Sequence, residues 1–150
     1  MIIGTPLRML IVEDDPNDVE LIQLALANNN FANQIDIAED GEQALEYLFG
    51  TAENPRSQPL PRLVLLDLKL PKVNGIQVLE AIRRNPNTRK LVVVVMTSSA
   101  EDRDIETCYN LGVNSYIVKP FDFQLFFEVV RQVGFYWMTL NEPPSLSAQR

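Results

Sequence analysis

Residues 63–67 read Leu-Val-Leu-Leu-Asp, so four apolar residues run straight into an acid. A short unbroken apolar run is what a strand buried on both faces looks like, as in a parallel sheet covered by helices. An ionised carboxylate inside such a strand would meet a large desolvation cost. Asp67 therefore belongs at the strand's end, where the chain leaves the core. In open α/β sheets, ligands bind at the carboxyl ends of the strands. Pro71 and Asn74-Gly75 then mark a loop turning into a helix. On this stretch alone Asp67 reads equally well as a helix N-cap or a loop acid.

The rest of the chain repeats the theme. Leu7 to Val12 is a second apolar strand, ending in Glu13-Asp14-Asp15. Pro16 suits a first helical position with Asp15 as N-cap. That helix reaches about Ala27, with Val19, Ile22 and Leu26 on one face, and Asn28-Asn29-Asn30 stops it. Gln34 to Ala38 alternates as a strand, with Ile35 and Ile37 inward. Asp40 and Gln43 form a capping box for a helix carrying Ala44, Leu45 and Leu48. Gly50 to Pro61, with three prolines, is a surface loop. Ile76, Leu79 and Ile82 form a helical stripe ended by Asn85-Pro86. Leu91 to Met96 is a strand running into Thr97-Ser98-Ser99. A helix from about Glu101 carries Ile105, Cys108 and Leu111, and Gly112 closes it. Ser115 to Val118 is a last strand before Lys119-Pro120, and Asp122 caps a final helix to about Gly134.

Strand then helix, five times over, predicts an α/β fold with a doubly wound five-stranded parallel sheet and helices on both faces. The 150 residues suit one domain, residues 1–140 with an aromatic C-terminal extension, followed by a flexible tail at 141–150. A net charge of −7 and the lack of a Lys/Arg-rich run argue against nucleic-acid and anionic-membrane partners. One cysteine, Cys108, permits no internal disulfide and reads as a packing residue. No apolar run has membrane-spanning length, and Met1–Arg8 is too short for a signal peptide, so a cytoplasmic protein is expected. Histidine is absent, which excludes Ser/His hydrolases, His-ligated zinc and a phosphohistidine on this chain.

If all five strands are parallel, Glu13-Asp14, Asp67, Thr97 and Lys119 line one sheet edge. Carboxylates crowded together repel unless a cation intervenes. With oxygen ligands only, Mg²⁺ is the natural choice. Lys119 adds a second positive charge and Thr97 a hydroxyl donor. Two cations and a hydroxyl around a carboxylate describe a site for a phosphoryl group, and the carboxylate is a competent nucleophile for its transfer. Taken singly, Lys119 reads as a surface lysine, Thr97 as a helix cap and Glu13-Asp14 as loop acids.

The motifs Val-Glu-Asp-Asp, Leu-Leu-Asp67-Leu-Lys-Leu-Pro-Lys-Val-Asn-Gly, Met-Thr97-Ser and Tyr116-Ile-Val-Lys119-Pro120-Phe121 resemble the receiver domain of two-component response regulators, from about Leu7 to Val133. The resemblance implies a flavodoxin-like sheet of strand order 2-1-3-4-5 and a phosphoryl group accepted on Asp67 from a partner histidine kinase. It implies Mg²⁺ bound by Asp14, Asp67 and the backbone carbonyl of Lys69, with Glu13 acting through water. Thr97 and Lys119 would hold phosphoryl oxygens, Tyr116 occupies the switch aromatic position, and the Lys119–Pro120 bond would be cis. The resemblance also implies a signalling switch rather than a metabolic enzyme, one that catalyses its own phosphorylation and dephosphorylation. The long proline-containing connector and the close Gly134-Phe135-Tyr136-Trp137 resemble the small stand-alone regulators that partner phytochromes, which implies a phytochrome-type kinase. Lys69 departs from the neutral residue of many receivers, and Ser99 stands two after Thr97. Both positions tune the lifetime of the phosphoryl group in the family. A hydrolase of the haloacid-dehalogenase type also uses an aspartate and Mg²⁺, but needs a second aspartate where Lys69 stands.

The last helix is too apolar for one buried stripe. Phe123, Phe126, Phe127 and Val130 are expected to face the sheet, with Leu125, Val129, Phe135, Tyr136 and Trp137 left over. Following Gly134, the three aromatics are expected to turn off the helix axis. A contiguous aromatic patch is unusual on a monomer. It predicts a homodimer through the last strand, the last helix and Phe135, Tyr136 and Trp137.

Overall fold

Alternation along each strand sets the architecture. In β1 (Arg8–Val12), Met9 and Ile11 point to one face of the sheet and Leu10 and Val12 to the other, and all four are buried. The same split holds in β3 (Leu63–Leu66) and β4 (Val92–Thr97), whose residues are all buried. The computed structural model describes residues 7–27, 34–56 and 59–146. Within them β2 (Gln34–Ala38) and β5 (Ser115–Val118) are the edge strands, every pairing is parallel, and the order is β2-β1-β3-β4-β5. This is the doubly wound sheet expected from the strand–helix repeat.

Two cores result. Helices α1 (Pro16–Ala27) and α5 (Phe123–Phe135) cover one face through Ile22, Ala25, Leu26, Phe126, Val130 and Val133. Helices α2 (Gly41–Phe49), α3 (Gly75–Arg84) and α4 (Asp102–Asn110) cover the other through residues that include Ala44, Leu48, Val78, Ile82 and Cys108. Cys108 is fully buried, and burial followed by the Asp104 charge pushes its thiol up to about 11, so it stays protonated. Val19, expected inward on α1, is only half-buried, and Ala25 takes the core position. The asparagines expected to stop α1 lie outside the described residues.

The helix starts follow local chemistry. Asp15 accepts from the backbone N–H of Asn17 at 2.8 Å, and Asp122 from that of Leu125 at 2.9 Å. Asp40 accepts from Gln43 N–H at 2.8 Å, but the Gln43 side chain reaches back to Glu39 N–H rather than to Asp40. The complete capping box is at Asn74 and Gln77, at the start of α3.

The C-terminal end departs most from expectation. Phe123 is exposed, not against the sheet, while Phe127 is half-buried. The chain does not leave the axis at Gly134. It stays helical through Phe135 and tightens no further, widening into a π-helical turn over Tyr136–Leu140. Burial of Met138 and packing of Trp137 against the α1/α5 core hold this extra turn in place. Residues 141–146, read as part of a flexible tail, fold back: Arg62 donates to the Asn141 carbonyl at 2.9 Å and Leu146 packs against the α2/α3/α4 core. Residues 147–150 lie outside the described ones.

Candidate functional site

The parallel ladder runs one residue past β1, β3 and β5 and so fixes the side chains at the sheet's carboxyl edge. Asp67 N–H donates to the Val12 carbonyl at 3.0 Å, Glu13 N–H to that of Ala38 at 3.0 Å, and Lys119 N–H to that of Thr97 at 2.7 Å. Gly75 lets α3 approach this edge closely. A Cβ there would lie 2.1 Å from the Asp67 carbonyl oxygen, and Gly75 N–H bonds the Leu68 carbonyl at 2.8 Å.

Asp67 is 7% exposed. One of its oxygens accepts from the backbone N–H of Leu68 at 2.7 Å and, more weakly, from that of Lys69 at 3.4 Å. The other accepts from Lys119 Nζ at 3.0 Å. The same ammonium donates to Glu13 at 2.7 Å and to Asp18 at 2.8 Å. Burial alone would lower the pKa of Lys119, but the bonds to Asp18 and Glu13 and the charge of Asp67 outweigh it and raise it. Lys119 is therefore a permanent cation here, not a surface lysine.

Glu13 is 2% exposed, and its second oxygen accepts from Asp15 N–H at 3.2 Å. Burial raises its carboxyl most; the hydrogen bond from Lys119 opposes this, the charge of Asp67 adds to it, and the result is about 7. Glu13, Asp14 and Asp67 each offer an oxygen, all within 4.8 Å of one another, and Asp14 is exposed to solvent. An acid pushed up first by burial and then by a neighbouring acid is what a hard divalent cation would relieve. An all-oxygen donor set with one side open to water fits such an ion.

Thr97 ends β4 fully buried, and its hydroxyl oxygen is 3.4 Å from the Ser99 N–H that donates to it. Tyr116 on β5 donates its hydroxyl to the Ser99 carbonyl at 2.9 Å. The Ser99 hydroxyl donates to Asp104 of α4 at 2.6 Å. The loop after β4 is thus tied to β5 and α4 through Ser99. The Lys69 side chain is exposed.

Every residue expected at the strand ends is present at this edge. Two parts were missed. Asp18 had a signal, since it lies in the first turn of the helix that leaves the acidic strand end. The Ser99–Asp104 bond had none. One expectation fails: the described residues contain no cis peptide bond, so Lys119–Pro120 is trans. The trans form is favoured by about 0.5–1 kcal/mol at X–Pro bonds, and Lys119 reaches Asp67 with it.

Residues 9–131 match the response regulator receiver domain. The chain belongs to that family. The receiver is 40% identical over 93% of its length to a probable methanogenesis regulatory protein, FilR2, of Methanothrix harundinacea, covering 88% of that protein. It is 35% identical over 89% of its length to response regulator Rcp1 of Synechocystis, covering 90% of it. The Mn²⁺-bound form of Rcp1 superposes with a TM-score of 0.88 at 34% identity, over 93% of this chain and all of that one. The phosphorylated cyanobacterial phytochrome response regulator RcpA gives 0.86 at 34% identity, over 94% of this chain and all of that one. The receiver is therefore a signalling protein rather than a metabolic enzyme. Among the described residues no helix is long and apolar enough to cross a membrane.

Proposed function

We propose that Asp67 accepts a phosphoryl group from the phosphohistidine of a partner histidine kinase. A carboxylate oxygen of Asp67 attacks phosphorus, the P–N bond to the imidazole breaks, and that nitrogen keeps the bonding pair. The product is an acyl phosphate, which water later cleaves to restore the acid. The observation that carries this reading is the buried Asp67 carboxylate with Lys119 Nζ 3.0 Å away and two further acids within 4.8 Å. Asp14, Asp67 and the backbone carbonyl of Lys69 would hold Mg²⁺, with Glu13 acting through water. Bound there, the ion would offset the charge on the transferring oxygens. Lys119 and the Thr97 hydroxyl would take phosphoryl oxygens. Thr97 and Tyr116 meet at Ser99, so drawing Thr97 toward the phosphoryl group would move the loop that Tyr116 holds.

The likeness to Rcp1 and RcpA, the latter described as a phytochrome response regulator, supports a phytochrome-type kinase as the donor. We read a cytoplasmic regulator, one domain over 1–140, with output through protein contacts; the match to most of the length of Rcp1 supports its stand-alone form. A homodimer through β5, α5 and the C-terminal aromatics is the assembly we favour. Phe135 and Tyr136 are about half exposed, whereas Trp137 is partly buried, packing on the core and edge-on to Tyr136 at 4.9 Å.

Incubation with Mg²⁺ and acetyl phosphate should load one acid-labile phosphoryl group, and Asp67→Asn should abolish it. Labelling that persists in Asp67→Asn refutes the assignment.

A further inference from the structure

The ammonium of Lys119 has three N–H donors, and three carboxylates occupy them: Glu13 at 2.7 Å, Asp18 at 2.8 Å and Asp67 at 3.0 Å. A fully engaged ammonium can bind a phosphoryl oxygen only by giving up one of these partners. Phosphorylation turns Asp67 from a carboxylate into an acyl phosphate, a weaker acceptor at its own oxygens, and sets phosphoryl oxygens before the ammonium. The acids that still compete for its donors are then Glu13 and Asp18. Glu13 is held on the end of β1, with 3% of its side chain exposed. Asp18 is different in kind. It sits on the first turn of α1, and 21% of its side chain is exposed, so water can replace the lysine at least cost.

We infer that Asp18 is the exchangeable partner of Lys119, a positioning residue that holds the ammonium when Asp67 is unmodified and competes with the phosphoryl group for it. The inference rests on the phosphoryl-acceptor reading and deepens it. Movement of the ammonium toward the phosphoryl group weakens its attraction to Asp18, so Asp18 biases the site toward the empty state. Neutralising it should favour the occupied state through Lys119.

The test is a titration of the intact protein with beryllofluoride and Mg²⁺, a non-covalent mimic of the phosphoryl group, followed by calorimetry. Asp18→Asn should tighten binding about fivefold, the scale of a partly exposed ion pair, and Asp18→Glu should restore wild-type affinity. Asp15→Asn is the control. It removes the same charge from the same segment, keeps an N-cap oxygen, and its side chain makes no bond to Lys119. It should change affinity less than twofold. Unchanged or weaker binding in Asp18→Asn overturns the inference. So does equal tightening by Asp15→Asn, which would mark a general charge effect. Wild-type protein that binds no beryllofluoride sinks the phosphoryl-acceptor reading, and the inference with it.

Discussion

Glu13 makes the site's electrostatics measurable as stability. Its carboxyl lies near 4.5 in a free chain and at about 7 in the folded protein, raised first by burial. Between those values the folded state holds a proton that the unfolded chain has lost. Stability therefore falls as pH rises through that window and levels off above it. A shift from 4.5 to about 7 corresponds to about 3 kcal/mol at most, at 1.36 kcal/mol per unit. The other acids of this −7 chain have pH dependences of their own, so the informative quantity is a difference. Glu13→Gln keeps the shape and an acceptor for Lys119 but cannot ionise. Urea denaturation at pH 4 and pH 8 should show the variant gaining up to about 3 kcal/mol on wild type over that range. Saturating Mg²⁺ at pH 8 should shrink the gap, because a cation at the cluster offsets the buried charge. If wild type and Glu13→Gln run parallel from pH 4 to pH 8, Glu13 ionises freely in the fold and the account of this cluster is wrong.

Gly75→Ala should destabilise the protein by about 1–3 kcal/mol, since its Cβ would meet the Asp67 carbonyl. It should also slow acetyl phosphate labelling, and wild-type melting with wild-type labelling would contradict the close approach. Replacing Tyr136 with Ala and Trp137 with Ser should shift sedimentation toward monomer while Asp67 stays phosphorylatable. A wild-type protein that is monomeric at high concentration in both phosphorylation states would refute the dimer. Lys69→Asn should alter the dephosphorylation rate by less than about tenfold, as expected of an exposed, screened charge. Failure of Lys69→Asn to accept a phosphoryl group at all would show that the side chain has an essential role.

The sheet and its edge were legible in the sequence because both rest on local patterns. Four buried positions in a row at Leu63–Leu66 announce a central parallel strand, and Asp67 cannot lie inside one. The acids after Val12, Thr97 after Met96 and Lys119 after Val118 fall on the same edge once the strands are parallel. Asp15, Asp40 and Asp122 mark helix starts through their own backbone neighbours. Only the tertiary structure decided which partners those residues take. Lys119 meets Glu13 and Asp18 across 106 and 101 residues of chain, a closeness no local periodicity encodes. At the C-terminus, Gly134 and a run of aromatics carry a local stop signal. A buried place for Met138 overrides it, because burying a large apolar side chain contributes about 1.5–3 kcal/mol, more than the roughly 1 kcal/mol a helical glycine costs.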